Sequence, residues 1–514
     1  MNQTLQEIYN LVTSTNTQHQ RNRDHWRQML DSYMGGVEWQ RGQYLTKYVN
    51  ETQAEYDARL AATPLENHCR SVISTYVSFL FRDKPHREFA SIEYEPMLES
   101  FLEDADMDGR SFDAFMKEVA VWSSVFGHCW VIVAKPNVGA LTKGDELAND
   151  VRPYLNLLTP LVVTDWQYQR LPNGRYDLRY LKYVEDVNDT VITVKEWYQE
   201  KIVTTVINED TRSVISQDIE PNPLMSIPAI CAYNQKSPVR GIGISDISDI
   251  SRVQRFIYNM TSEVEASIRV NGHPTLVAPM GMELSAGAGA VLRMEDNLDP
   301  GLKPYILAFG GASLDAIYKS IEHTITAIDK MANIGAVRAT QSITMSGVAM
   351  ETEFQLLNAR LSEKADNLEL AEEQMWEFWF QYQGSQWMGS VEYPNSFNIR
   401  DKAGEINQLA TAKTTATDPI VLRKIDEHIL EWMGEEAELL PYQDINPIPG
   451  RTYPDGEPIA ESLPPAYMPA EESGTVDQYC SNCEYWKGTE GYCTKFDANV
   501  RPVYWCAKWE PTVE

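Results

Sequence analysis

Apolar residues recur in steps of three and four at Ile244, Ile247, Ile250, Val253, Ile257, Met260, Val264 and Ile268. They return at Leu314, Ile317, Ile321, Ile325, Ile328 and Met331, and again at Met350, Phe354, Leu357, Leu361, Ala365, Leu368, Met375 and Trp379. Each series keeps the 3.6-residue period of a helix that buries one stripe. The spacing predicts three long amphipathic helices between residues 241 and 384, with a small Gly/Ala/Pro-rich insert, 271–311, between the first two. The third run, 346–383, would be roughly 57 Å long at 1.5 Å per residue, far beyond the common helix of about 11–12 residues. A helix of that length packs against neighbouring subunits or spans an architecture.

The flanking pattern is mixed. Up to residue 89 it is helical, broken at Gly35-Gly36, and 67–81 places Val72, Ile73, Tyr76, Val77 and Leu80 on one face. Residues 97–126 predict two short helices joined at Asp108-Gly109, with Ser111 as N-cap of the second. From Cys129 to Tyr233 the chain turns β-branched and aromatic, with hairpin turns at Pro172-Asn173-Gly174 and Val187-Asn188-Asp189. Within the insert, HPTLVAP, AVLRME and KPYILAFG read as short strands. Ser313 is expected to cap the second long helix and Gly335 to stop it. A strand over 390–399 and helical sequence over 403–433 follow. Residues 434–477 hold ten acidic residues against one basic, with frequent Pro, and predict an extended linker. The fold class is therefore α+β with several domains.

At 514 residues, 43% apolar and 10% aromatic, the chain can bury more than one core. No apolar run is long enough to cross a bilayer, and the first twenty residues lack a signal-peptide core. A soluble protein made in a cytoplasm, with no membrane partner, is expected. The formal charge of −30 argues against gripping nucleic acid by general attraction to phosphate. It leaves room for DNA as a repelled cargo inside a channel.

The glycine pairs at Gly241/Gly243 and Gly287/Gly289 complete no phosphate-loop motif and read as tight turns. Asp104, Asp106 and Asp108 begin like a calcium loop, but Phe115 stands where the bidentate Glu belongs. The eight His are scattered and nominate no catalytic set, so no enzyme is expected. Cysteines carry the one sharp chemical pattern. Cys69, Cys129 and Cys231 stand alone, whereas Cys480, Cys483, Cys493 and Cys506 form C-x2-C-x9-C-x12-C in the last 35 residues. In a cytoplasmic product that favours metal over disulfides, either tetrahedral Zn²⁺ or a [4Fe–4S] cluster. The wide spacing of the last two Cys and the surrounding aromatics, including Trp505 and Trp509, favour the cluster.

The order of helical region, β region, helix, insert, helix, loop and very long helix resembles the tailed-bacteriophage portal proteins over residues 1–433. The phrases YMGGVEWQRGQYL, SDISDISRVQRFIYNMTSEVEASIRVNGHP and SGVAMETEFQLLNARLSEKADNLELAEEQ carry the likeness in particular. The resemblance implies a helical wing region over 1–128, a β-rich wing over 129–235, a stem helix over 236–270, a clip over 271–311 and a returning stem helix over 312–335. A tunnel loop over 336–346 and a long backbone helix with wing or crown over 347–433 complete it. It implies a ring of twelve copies at the portal vertex of the virion, assembled in the host cytoplasm. Double-stranded DNA would pass the channel, and terminase, tail adaptors and the major capsid or scaffold proteins would be partners. Arg338, Thr340, Gln341 and Thr344 would face DNA, and Arg293, Glu295, Asp296 and Lys303 would meet partners at the clip. The tail, CSNCEYWKGTEGYCTKFDANVRPVYWCAKWEP, is similar to a high-potential iron–sulfur protein. That implies a [4Fe–4S] cluster on the four cysteines with a structural role. Alternatives are a redox enzyme with an iron–sulfur domain, or another structural tail-connector protein.

Overall fold

A computed structural model describes residues 4–89, 95–137, 142–272, 275–277, 299, 305–307, 312–338, 347–395, 397, 411–413, 424–425, 453, 459–460, 462–464, 466–470, 478–487 and 491–511. The chain divides into two compact units, Met1–Asn398 and Ile399–Glu514.

The first unit opens with α1 (Leu5–Thr13), α2 (Thr17–Met34), α3 (Gly36–Arg41), α4 (Gln53–Ala62) and α5 (His68–Leu80). Their starts are set locally. Thr4 with Glu7 and Thr52 with Glu55 form capping boxes, and the Asn16 and Asn67 side chains accept from first-turn N–H groups. Gly35 ends α2 at φ +64°, where a side chain would crowd Asn67. All five residues expected on the inner face of α5 are buried.

A short β1 (His86–Glu88) leads to α6 (Glu95–Glu103) and α7 (Phe112–Phe126). The Ser111 hydroxyl accepts from Ala114 N at the start of α7, as its position predicts. The Asp-rich junction satisfies itself: Asp104 accepts from Gly109 N, and Asp106 from Asp108 N and the Arg110 guanidinium.

The β region forms two antiparallel sheets. One has the order β3 (Tyr154–Leu158), β2 (His128–Ala134), β9 (Ala229–Tyr233); α8 (Lys143–Ala148) lies between β2 and β3 in the chain. Trp130 pairs with Leu158 on one side and Cys231 on the other. The second sheet is a meander of β4 (Val163–Arg170), β5 (Tyr176–Asn188), β6 (Val191–Tyr198), β7 (Lys201–Asn208) and β8 (Ser213–Pro221). The hairpins turn at the two places that Asn, Gly and Asp marked.

Then come α9 (Ile250–Gly272), β10 (Thr275–Val277), β11 (Tyr305–Leu307), α10 (Ala312–Met331), α11 (Gly335–Arg338), α12 (Gly347–Tyr382) and β12 (Ser390–Glu392). β10 pairs antiparallel with β11, and β12 with β1. The 36 residues of α12 make a rod of about 54 Å. Its inner stripe runs through Leu357, Leu361, Ala365, Leu368, Ala371, Met375, Trp376 and Trp379. Around Trp376 gather Phe112 at 4.8 Å, Phe89 at 5.0 Å, Phe101 at 5.4 Å and Trp387 at 5.9 Å between ring centroids.

Several boundaries differ from the sequence expectation. The first long helix begins at Ile250 rather than near Ile244, because the preceding backbone is tied elsewhere. Ile244 N donates to Gln235 O and Asp246 N to Ser124 O. α10 starts at Ala312, so Ser313 lies inside it. It ends at Met331, where Asn333 at φ +54° supplies the left-handed residue, and Gly335 instead opens α11. The strand expected over 390–399 is three residues long, stopped before Pro394. The AVLRME strand and most of the helical stretch 403–433 lie outside the described residues.

In the second unit, β13 (Met468–Pro469) pairs with β17 (Tyr504–Trp505), and β14 (Trp486–Lys487), β15 (Tyr492–Cys493) and β16 (Ala498–Asn499) form a small antiparallel sheet. Its core joins Cys480, Cys493, Phe496, Val500, Tyr504 and Cys506 to Tyr453, Leu463 and Tyr467. The last three fall in the stretch expected to be an extended linker. They contribute a core because Tyr467 stacks on Tyr504 at 5.0 Å and Tyr453 lies edge-on to the same ring at 5.3 Å.

Candidate assembly helices and the four-cysteine module

α9 and α10 pack on one another. Their inner residues Ile250, Ile257, Val264 and Ile328 are buried. On the outside, Phe256 is 51% exposed, Ile268 51% and Tyr318 46%, and α12 adds Leu356 at 55%. Large apolar groups spread along three long helices are candidates for cover by another molecule. The middle of α9 is fixed by Arg59 of α4. Its guanidinium grips Glu51 through two 2.7 Å bonds and donates to the Ser262 hydroxyl at 3.1 Å.

Two ion-pair clusters lock α12 to the rest of the first unit. Lys364 donates to Asp246 Oδ2 at 2.5 Å, to Ser124 Oγ at 3.1 Å and to Asn234 Oδ1, while Arg360 reaches Asp246 Oδ1 at 3.1 Å. Burial raises the Asp246 carboxyl, but the two cations outweigh it and hold the group below the usual range. Farther along, Glu372 is fully buried and takes two bonds from Arg87, at 2.5 and 3.2 Å. It also accepts from Tyr393 Oη at 2.7 Å and Trp376 Nε1 at 3.1 Å, and Arg87 reaches Asp113 at 2.6 Å. These residues escaped the sequence reading, although a signal existed. Lys364 follows Leu361 by three and Glu372 follows Leu368 by four, so both sit in step with the buried stripe.

Beneath α9, the loop that precedes it crosses the end of α7. Gly127 has φ +90°, and a Cβ there would lie 2.5 Å from the backbone of Gly243. Gly243 N donates to Nδ1 of His128 at 3.2 Å. Burial pushes the His128 imidazole down to about 3, so Nδ1 remains an acceptor.

Of the residues expected at the tunnel loop, Arg338 is the last residue of α11, and Thr340, Gln341 and Thr344 lie outside the described residues. Arg293, Glu295, Asp296 and Lys303, expected at the clip, also lie outside them.

The four-cysteine expectation is corrected. Cys480, Cys483, Cys493 and Cys506 do come to one place and line one small cavity, with Tyr485, Trp486, Phe496 and Trp509 around them. All four are buried and free of disulfides. Yet among the described residues no group of three or more His, Cys, Asp or Glu side chains could hold a metal ion. Neither a [4Fe–4S] cluster nor Zn²⁺ is assigned. Burial pushes the Cys480 thiol up to about 12 and raises Cys506 too, and the neighbouring sulfurs add to both shifts. In Cys480 and Cys506 the raised thiols stay protonated and pack as small apolar groups. Spacing alone could not distinguish these outcomes, because both bring the four residues together.

No protein-family model matches the sequence, and no curated protein matches it. Among solved structures, one similar chain belongs to the neck of an empty gene transfer agent particle, at 11% identity and a TM-score of 0.40 over 75% of this chain and 95% of that one. Another belongs to the virion of a native gene transfer agent particle, at 9% identity and a TM-score of 0.38 over 81% of this chain and 96% of that one. The likeness is weak.

Proposed function

We propose that this chain is a portal-type virion protein that assembles as a ring of twelve, with a channel through which double-stranded DNA is packaged and ejected. The observation that carries the reading is the α9/α10 pair. It flanks the β10–β11 ribbon, keeps Phe256, Ile268 and Tyr318 uncovered, and leads through α11 into the 36-residue α12. Neighbouring copies in a ring would cover those side chains, as a monomer does not.

In this reading α9 and α10 are the stem and the ribbon belongs to the clip. Arg338 at the end of α11, with Thr340, Gln341 and Thr344 after it, lines the narrowest part of the channel towards DNA. Arg293, Glu295, Asp296 and Lys303 meet terminase or a tail adaptor. The formal charge of −30 keeps DNA from adhering to the walls. The role is structural rather than catalytic.

Negative-stain images of the purified chain test the reading: rings with a central hole are expected. Native mass spectrometry that finds only monomer at micromolar concentration overturns it. Arg338→Glu should leave rings intact and lower the DNA packaged per particle.

A further inference from the structure

A cavity of about 540 Å³ opens between the β4–β5 hairpin, β9, the loop after β9 and α12. That volume is in the range of small-ligand sites, which run from about 300 to 1,000 Å³. Two cations line it, Lys236 and Arg240. The Arg240 guanidinium lies 3.5 Å from the centre of the Tyr176 ring, and the Lys236 ammonium 5.7 Å from that of Tyr233. A second guanidinium, Arg170, is 5.9 Å from the Tyr176 ring.

Among the described residues, none of these three cations has a carboxylate partner or donates a side-chain hydrogen bond within the chain. In a protein with 74 acidic and 44 basic residues, two cations without carboxylate partners, Lys236 and Arg240, lining one cavity stand out. The acidic side chain of the lining, Asp177, has partners of its own. It accepts from Gln199 Nε2 at 2.8 Å and pairs with Arg179 at 3.5 Å. The Arg240 guanidinium lies over the Tyr176 ring, and no side-chain hydrogen bond among the described residues uses its N–H fork. That fork matches the oxygens of a phosphate, and the Lys236 ammonium adds a point charge beside it. The amide of Gln374 lines the α12 side.

We propose that this cavity binds a small phosphate-bearing anion, held by the fork of Arg240 and the ammonium of Lys236. The phosphate is either free or carried by a nucleotide; the chemistry recognised is the same. The site does not depend on ring assembly, since every group named belongs to one copy.

The test is isothermal titration of the full chain with inorganic phosphate and, separately, with adenosine monophosphate, against chloride at equal ionic strength. Saturable binding of one phosphate per chain is expected. Arg240→Ala should weaken it at least tenfold, and the Lys236→Ala/Arg240→Ala pair should abolish it. Arg240→Lys keeps the charge but loses the fork, and should weaken binding severalfold with an unchanged circular dichroism spectrum. Tighter binding of the nucleotide places its base in the cavity; equal affinity limits recognition to the phosphate. No saturable binding of either probe, or binding that survives in the double variant, overturns the proposal.

Discussion

The Lys364 ammonium on α12 donates to the Asp246 carboxylate at 2.5 Å, with both side chains almost wholly removed from solvent. Asp246 belongs to the segment that precedes α9, so this contact joins the long helix to the start of the proposed stem. A buried pair of this kind is weak evidence for net stability, because desolvation offsets much of the attraction. Its loss on one side is another matter.

Lys364→Met leaves Asp246 buried with only Arg360 to balance it. Destabilisation of about 3–5 kcal/mol is expected from the stranded charge. The Lys364→Met/Asp246→Asn pair should cost clearly less than the sum of the two single changes, as read by chemical denaturation in a double-mutant cycle. Additive losses would show that the pair is not coupled.

Arg87→Ala strands Glu372, which is fully buried at the centre of the Trp376 aromatic cluster. A loss of similar size, about 3–5 kcal/mol, is expected. The near-ultraviolet circular dichroism of the tryptophans should change with it. Glu372→Gln should be milder, since its carbonyl can still accept from Trp376 Nε1, its amide can donate to the Tyr393 hydroxyl, and Arg87 keeps Asp113.

His128 gives a pH dependence of definite sign. Its folded pKa is pushed down to about 3, against about 6.5 for an unperturbed His. Between those values the unfolded chain binds the extra proton, so stability rises with pH across this window and is lost as pH falls through it. The slope approaches about 1.4 kcal/mol per pH unit for one such group. Urea denaturation at a series of pH values should show it, and His128→Gln should flatten it. A slope unchanged in that variant would refute the assignment.

Gly127→Ala should lower the thermal midpoint markedly. The position combines φ +90° with a Cβ site 2.5 Å from the Gly243 backbone, which is not a flexible neighbour. Left-handed strain alone costs about 1–3 kcal/mol, and the steric overlap adds to it. Gly109→Ala is the control: it shares the positive φ, but nothing lies within 4 Å of its Cβ. It should cost the strain alone.

Phe256→Glu and Leu356→Glu should leave the monomer fold intact, because both side chains face solvent in a single copy. They should reduce or abolish rings in native mass spectrometry. Normal ring yield in both would remove these residues from any subunit contact.

The periodicities by themselves determined the elements. Three- and four-residue apolar steps specify α9, α10 and α12 because a helix must bury one stripe; Ile257, Val264, Ile328 and Leu361 on those steps are buried, whereas Ile268 and Met331, near the helix ends, stand 51% and 40% exposed. Ser111, Asn173-Gly174 and Asn188-Asp189 mark a cap and two turns because their side-chain oxygens or backbone freedom are used within a few residues. What the local pattern could not carry was decided by partners distant in the chain. The start of α9 moves to Ile250 because Gln235 O and Ser124 O capture backbone N–H groups ahead of it. Lys364 and Glu372 are tolerated in an apolar stripe only because Asp246 and Arg87 meet them across more than one hundred residues. Tyr453 and Tyr467 join a core from an acid-rich stretch because Tyr504 stands opposite them. The four cysteines carry the same lesson. Their spacing brings them to one cavity, but the positions of the four sulfurs depend on the rings packed around them, which one-dimensional spacing does not encode.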